Sequence, residues 1–120
     1  MADHLLKFKP GQAVTFTATT AITGGQVVEV TGNRSVGVPA AAASAKAIGT
    51  AGHDAAIGDQ VVVHLNGPVD TMIAAAVISA GVNVEASTAG KVQTATTGRA
   101  LGISLSAATA ADQIIQVLRA

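Results

Sequence analysis

The sequence has no cysteine, tryptophan or tyrosine, and two phenylalanines among 120 residues. Lack of cysteine excludes disulfides and thiolate metal ligands. Net charge is zero and aromatic platforms are missing, so phosphate neutralisation and base stacking, the two main routes to nucleic acid, are poorly supplied. Charged residues make up 12%, about half the usual share of roughly 25%. The longest apolar run, residues 72–78, is far short of the roughly 20 residues of a spanning helix, so no membrane partner is expected. The opening Met1-Ala2-Asp3-His4-Leu5-Leu6-Lys7 lacks a signal-peptide h-region, which predicts a soluble chain made in the cytoplasm.

What remains is alanine, valine and turn residues. Hydrophobic residues reach 49%, with 26 alanines, 15 valines and 8 isoleucines. This length fits one domain with a real core. A surface so poor in charge favours association, and the chain reads as one that works within an assembly.

The sequence also says much the same thing twice. Ile22-Thr23-Gly24-Gly25-Gln26-Val27-Val28-Glu29 recurs 56 positions later as Ile78-Ser79-Ala80-Gly81-Val82-Asn83-Val84-Glu85. Lys46-Ala47-Ile48-Gly49 recurs 53 positions later as Arg99-Ala100-Leu101-Gly102. At that same offset Asp59-Gln60-Val61-Val62 falls on Asp112-Gln113-Ile114-Ile115, Leu65 on Leu118, and His64 on Val117. Two copies are too few for a solenoid and fit two pseudo-equivalent units, about 22–65 and 78–118, in one small β domain. Asp59 and Asp112 are expected at the same turn.

Residues 1–13 read as an N-terminal arm ahead of a single β domain, 14–120. Ten strands are expected, at 14–19, 27–30, 36–38, 46–50, 60–65, 69–73, 82–86, 91–94, 101–105 and 114–118, from period-2 alternation and β-branched content. Turn signals at about ten-residue spacing point to a sandwich or barrel. Alanine runs at 40–45 and 74–76 are too short or too β-branched at their flanks for a real helix. Residues 54–56 and 107–111 are candidates for short helical turns.

The residues that resemble chemistry are sparse. His53-Asp54 is the one histidine–carboxylate neighbour pair, and no serine or threonine is singled out as its nucleophile. His4, His53 and His64 show no metal-ligand spacing. Gly49-Thr50-Ala51-Gly52 lacks the Gly-Lys-Thr/Ser of a phosphate loop, and Asn33-Arg34-Ser35 matches a glycosylation sequon without a secretory signal. No catalytic, cofactor or metal residue is assigned, and no small-molecule substrate is expected. Two rivals stay open: a β-clip or hammerhead-type carrier using Lys46 or Lys91, and a small enzyme subunit, which would need a polar cluster.

Read in order, the arm Leu5-Leu6-Lys7-Phe8-Lys9-Pro10-Gly11, the block Ala21-Ile22-Thr23-Gly24-Gly25-Gln26-Val27-Val28, the strand Ala47-Ile48-Gly49-Thr50-Ala51 and the block Ala55-Ala56-Ile57-Gly58-Asp59-Gln60-Val61-Val62-Val63 resemble the small capsid decoration, or cement, proteins of tailed double-stranded DNA phages. The resemblance implies an all-β, compact barrel or tulip-like domain. It implies a structural, non-enzymatic virion protein on the outer capsid surface that binds the major capsid protein and stabilises the shell, usually as a homotrimer. Within the arm, Leu5, Leu6, Lys7, Phe8 and Lys9 are the expected capsid-binding residues, extended as an added strand; a first strand packed on the core is the competing reading.

Overall fold

The computed structural model describes residues 13–67 and 69–119; the expected capsid-binding residues Leu5 to Lys9 lie outside them. Among the described residues the valine- and threonine-rich segments form ten strands: β1 Ala13–Ala18, β2 Val27–Gly32, β3 Ser35–Gly37, β4 Ala47–Ala51, β5 Gln60–His64, β6 Val69–Ile73, β7 Asn83–Ala86, β8 Val92–Thr94, β9 Ala100–Ser104 and β10 Ile114–Arg119. β1 starts at Ala13, the last residue assigned to the arm.

The strands divide into two units of one topology. In the first, β3-β2-β4-β5-β1 closes into a barrel when β1 pairs in parallel with β3 through Thr17–Ser35 and Ala18–Val36. In the second, β8-β7-β9-β10-β6 repeats that order, and a parallel bridge from Ala74 to Val92 stands where the first unit closes. Finer features recur too. The antiparallel bridge Ile22–Ala55 has its twin in Ile78–Ala108. The ladder irregularity between Val28 and Glu29 has its twin between Val84 and Glu85.

The structure corrects the register of the last repeated block. Thr17 pairs with Gln60 and Ile73 with Ile114, so Gln60 corresponds to Ile114, His64 to Leu118 and Leu65 to Arg119. Asp59 and Asp112 therefore do not share a position. Asp112, at φ +68°, takes the left-handed place of Gly58, at φ +89°, which aspartate tolerates better than most residues. The second turn is one residue longer. In the first unit Asp59 Oδ2 accepts from the Ala56 N–H (3.1 Å). In the second, Gln113, one methylene longer, reaches the Thr109 N–H with Oε1 (2.8 Å).

The expected helical turns at 54–56 and 107–111 are absent. Ala55 and Ala108 are held in the bridges just described, which compete with helical hydrogen bonding. A 3₁₀ turn forms instead at Thr88–Gly90, where Gly90 (φ +71°) lies against Gln26 of the first unit.

The two cores are small-residue interiors. One gathers Ala18, Ile22, Val28, Val36, Val61 and Val63. The other gathers Met72, Ile78, Leu101, Ile115 and Val117, and also takes in Val27 and Ala47 from the first unit. That shared core, with backbone bonds from Ala43 N to Ala86 O (2.8 Å) and from Arg99 N to Ser44 O (3.2 Å), joins the units into one body.

Candidate functional site

The residues that resembled chemistry are occupied with the scaffold. His53 Nε2 accepts from the Val62 N–H (3.2 Å), which leaves Nδ1 to donate to the Asp54 carbonyl (2.9 Å). The Asp54 carboxylate accepts from the Gly24 N–H (2.8 Å) instead of facing the imidazole. Together they pin neighbouring loops. His64 lies on an exposed strand position beside Gly52. In the sequon, Arg34 holds φ +51° in the β2–β3 turn, donates to the Thr15 carbonyl (2.7 Å) and stacks over Phe16 at 5.2 Å. Lys91 ends the 3₁₀ turn and pairs with Asp112 at 2.5 Å. Lys46 closes the loop before β4, where its carbonyl accepts from the Val30 N–H (3.0 Å). Among the described residues no group of three His, Asp or Glu side chains is placed to hold a metal. A cleft of about 200 Å³ lined by Gly24, Gly25, Thr71, Met72, Ile73 and Ile114 is smaller than the roughly 300 Å³ at which ligand pockets begin.

Two buried charges hold the second unit together. Glu85 is fully buried, and its carboxylate accepts four hydrogen bonds, from Thr96 N (2.8 Å), Gly98 N (2.8 Å), Thr96 Oγ1 (3.0 Å) and Gln93 Nε2 (2.6 Å). Burial pushes the carboxyl pKa up, but the bonds from Thr96, Gln93 and Gly98 outweigh it and hold the pKa below its ordinary value. Arg119 is buried where the units meet. It donates from Nε to the Leu101 carbonyl (2.9 Å) and from Nη2 to the Ile48 carbonyl (3.0 Å) and Asn66 Oδ1 (2.9 Å), with Nη1 at 3.5 Å from the His64 carbonyl. Burial lowers its pKa, and the charge of Asp70 opposes that shift. Asp70 in turn accepts from the Thr50 hydroxyl of the first unit.

The feature without a scaffold role is an apolar outer face on the second unit. Leu118 on β10 pairs with Val69 on β6 and with Ile103 on β9, so the three side chains form a row across three strands. Leu105 lies beyond Ile103, its N–H bonded to the Gln116 carbonyl, and Ile114 pairs with Ile73 further along. Val69, Leu118, Ile103, Leu105 and Ile114 are 44% to 70% exposed. At the matching positions the first unit carries Ala13, His64, Thr50, Gly52 and Gln60. One exchange runs the other way: Gln116 faces out where the first unit has Val62. In the first unit Ala13, His64, Gly52 and Gln60 are exposed and Thr50 is buried with its hydroxyl on Asp70, so the exposed outer positions carry few large apolar side chains in the first unit and several in the second. Contiguous exposed apolar surface of this kind marks interaction sites.

The sequence reading missed this face and the Glu85 cluster. The first was hidden by the one-residue register error, which set Leu118 against Leu65 in place of His64.

The model of a protein family described as phage cement protein matches residues 8–119. A search of curated proteins found no match. Among solved structures, the head fiber gp8.5 N base of bacteriophage phi29 superposes with a TM-score of 0.69 at 18% identity, over 91% of this chain and 93% of that one. At that identity the likeness shows the fold.

Proposed function

The chain belongs to the phage cement protein family, and from that membership we propose that it decorates the outer surface of a phage head by binding the major capsid protein. Its role is structural and capsid-associated. The family match over residues 8–119 carries this reading.

The molecule's physics supports it. A cement must resist deformation while gripping a shell under internal pressure. The two units share a core, a buried guanidinium ties them, and among the described residues no buried side-chain polar atom lacks a partner. Capsid contact is proposed for the arm, residues 1–13, with Leu6 and Phe8 facing the capsid protein and Lys7 and Lys9 facing solvent in an extended strand. Ordering such an arm costs about 1–2 kcal/mol per residue of backbone entropy, so a single copy binds modestly. A homotrimer at threefold or quasi-threefold positions offsets this by presenting three arms at high effective concentration.

The test is titration of purified protein onto undecorated heads, read by cryo-electron microscopy and by heat release of DNA. The expected result is stoichiometric density at threefold positions and heads that survive higher temperature. A full-length Leu6→Ser/Phe8→Ser variant should keep its β circular-dichroism spectrum and lose binding. Absence of binding by the unaltered chain, or isolated copies away from any threefold position, would overturn the reading.

A further inference from the structure

We propose that, away from the capsid, the apolar outer face of the second unit is the seat of this same chain's residues 1–12, with Leu5, Leu6 and Phe8 on the row Val69–Leu118–Ile103. The inference goes beyond the capsid reading, because it concerns the protein before it meets a shell.

Three observations lead to it. First, the face has no partner within the described residues, and its twin carries the exposed Ala13 and His64 where this unit has Val69 and Leu118. Second, the position where the described chain begins is favourable. Ala13 pairs with His64, the His64 carbonyl lies 3.5 Å from Nη1 of Arg119, and Arg119 directly follows Leu118. Val69, at the other side of Leu118, comes five residues after His64. Residues 1–12 thus join the body near the strand ends that carry Leu118 and Val69, on the inward side to which Arg119 points, and they reach the outward row by passing the edge strand β6. Third, reach and chemistry match. Twelve extended residues span up to about 40 Å, and the five from Phe8 to Ala13 up to about 17 Å. Leu5, Leu6 and Phe8 are three of the few large apolar side chains in an alanine-rich chain. The row they would cover contains no charge.

The alternative occupant, a second copy, has to be recruited from dilute solution. The arm is tethered to the same molecule as the face, and a short tether gives an effective concentration in the millimolar range. Seating the arm hides two apolar surfaces at once, which matters for a chain with no net charge to keep copies apart.

The absence of cysteine makes a direct test simple. The full chain carries a nitroxide on Lys7→Cys, and the Ile103 and Leu118 methyl resonances are followed by NMR at low concentration, without heads. Ile57, at the turn beyond the far end of β1, is the control. The expected result is that Ile103 and Leu118 lose most of their intensity while Ile57 keeps its own. Mixing spin-labelled, isotopically silent chain with isotopically labelled, spin-free chain should broaden neither. In the spin-labelled Val69→Ala/Leu118→His variant, which adopts the twin's residues and so is compatible with the fold, the Ile103 signal should recover. Equal broadening of Ile103 and Ile57, broadening only in the mixed sample, or undiminished broadening of Ile103 in the variant would each overturn the proposal. Because no capsid is present, failure here leaves the cement reading standing.

Discussion

Glu29 and Glu85 occupy the same position in the two units, each just past the same ladder irregularity, and form a matched pair for measuring what a buried charge contributes. Glu29 is half-buried and accepts from the Ser44 hydroxyl. Glu85 is fully buried and accepts from two backbone N–H groups, a hydroxyl and an amide. Truncation of Glu85 to alanine leaves the Thr96 and Gly98 N–H groups without their acceptor, at about 1–3 kcal/mol each. A loss of about 4 kcal/mol is expected, a large share of a stability of about 5–15 kcal/mol. Glu29→Ala gives up one bond that water can replace and should cost about 0.5–1 kcal/mol. Urea unfolding at neutral pH reads both. With a slope of about 1.5 kcal/mol/M, the Glu85 variant should lose about 2–3 M in midpoint and the Glu29 variant well under 1 M.

Acid provides the second arm of the experiment. The folded pKa of Glu85 lies below its unfolded value, for which 4.5 is the reference. The folded state therefore binds this proton less readily than the unfolded one. The stabilisation is complete above the unfolded pKa and drains away as pH falls through the folded one. The stability difference between the unaltered chain and a Glu85→Gln variant should be flat near pH 7 and shrink below about pH 4. Equal losses at Glu29 and Glu85, or a difference that ignores acid, would refute the assignment of Glu85 as an ionised structural group.

The twin glycines should behave alike. A Cβ at Gly49 would collide with the His64 carbonyl and one at Gly102 with the Leu118 carbonyl, so Gly49→Ala and Gly102→Ala should each lower stability by about 1–3 kcal/mol in thermal unfolding. Arg119→Met keeps the length and removes the donors that satisfy the Leu101 and Ile48 carbonyls and Asn66, at about 2–4 kcal/mol. Hydrogen exchange in that variant should rise first at the strands meeting across the junction, β4 and β9; uniform loss of protection would argue that Arg119 does not tie the units.

The strands could be read from the sequence because each rests on a local signal. Val14, Phe16 and Ala18 alternate with threonines, and Gly24-Gly25, Gly58-Asp59 and Asn66-Gly67 break the chain between runs. The duplication could be read because both turn chemistry and core positions recur, as in Ile22-Thr23-Gly24-Gly25 and Ile78-Ser79-Ala80-Gly81. The last register could not. An Asp-Gln pair stands in both copies, but the inserted residue lies inside the second turn. Only the ladder Ile73–Ile114 shows that Gln113 took over the bond Asp59 makes. The buried charges were equally out of reach. Nothing local distinguishes Glu85 from Glu29; the difference is made by Gln93, Thr96 and Gly98 closing over one and not the other.

That single-residue slip bears on function, because the side-chain period of a strand is two and a shift by one exchanges its faces. With His64 set against Val117, an exposed position is compared with a buried one, and the copies look alike. With His64 set against Leu118, the buried positions Val61 and Val63 match Ile115 and Val117, and the exposed ones diverge. Inward positions are held in kind by the core, since each must fill the same small space between the same five strands. Outward positions contribute little to strand pairing, so a duplicated unit can change them without losing its fold. The first unit exposes Gly52, Gln60 and His64, with Thr50 buried against Asp70, while the second presents Ile103, Leu105, Ile114 and Leu118. Duplication thus yields a molecule with one fold and two different sides, which a structural protein that must meet water on one side and a protein partner on the other can use directly.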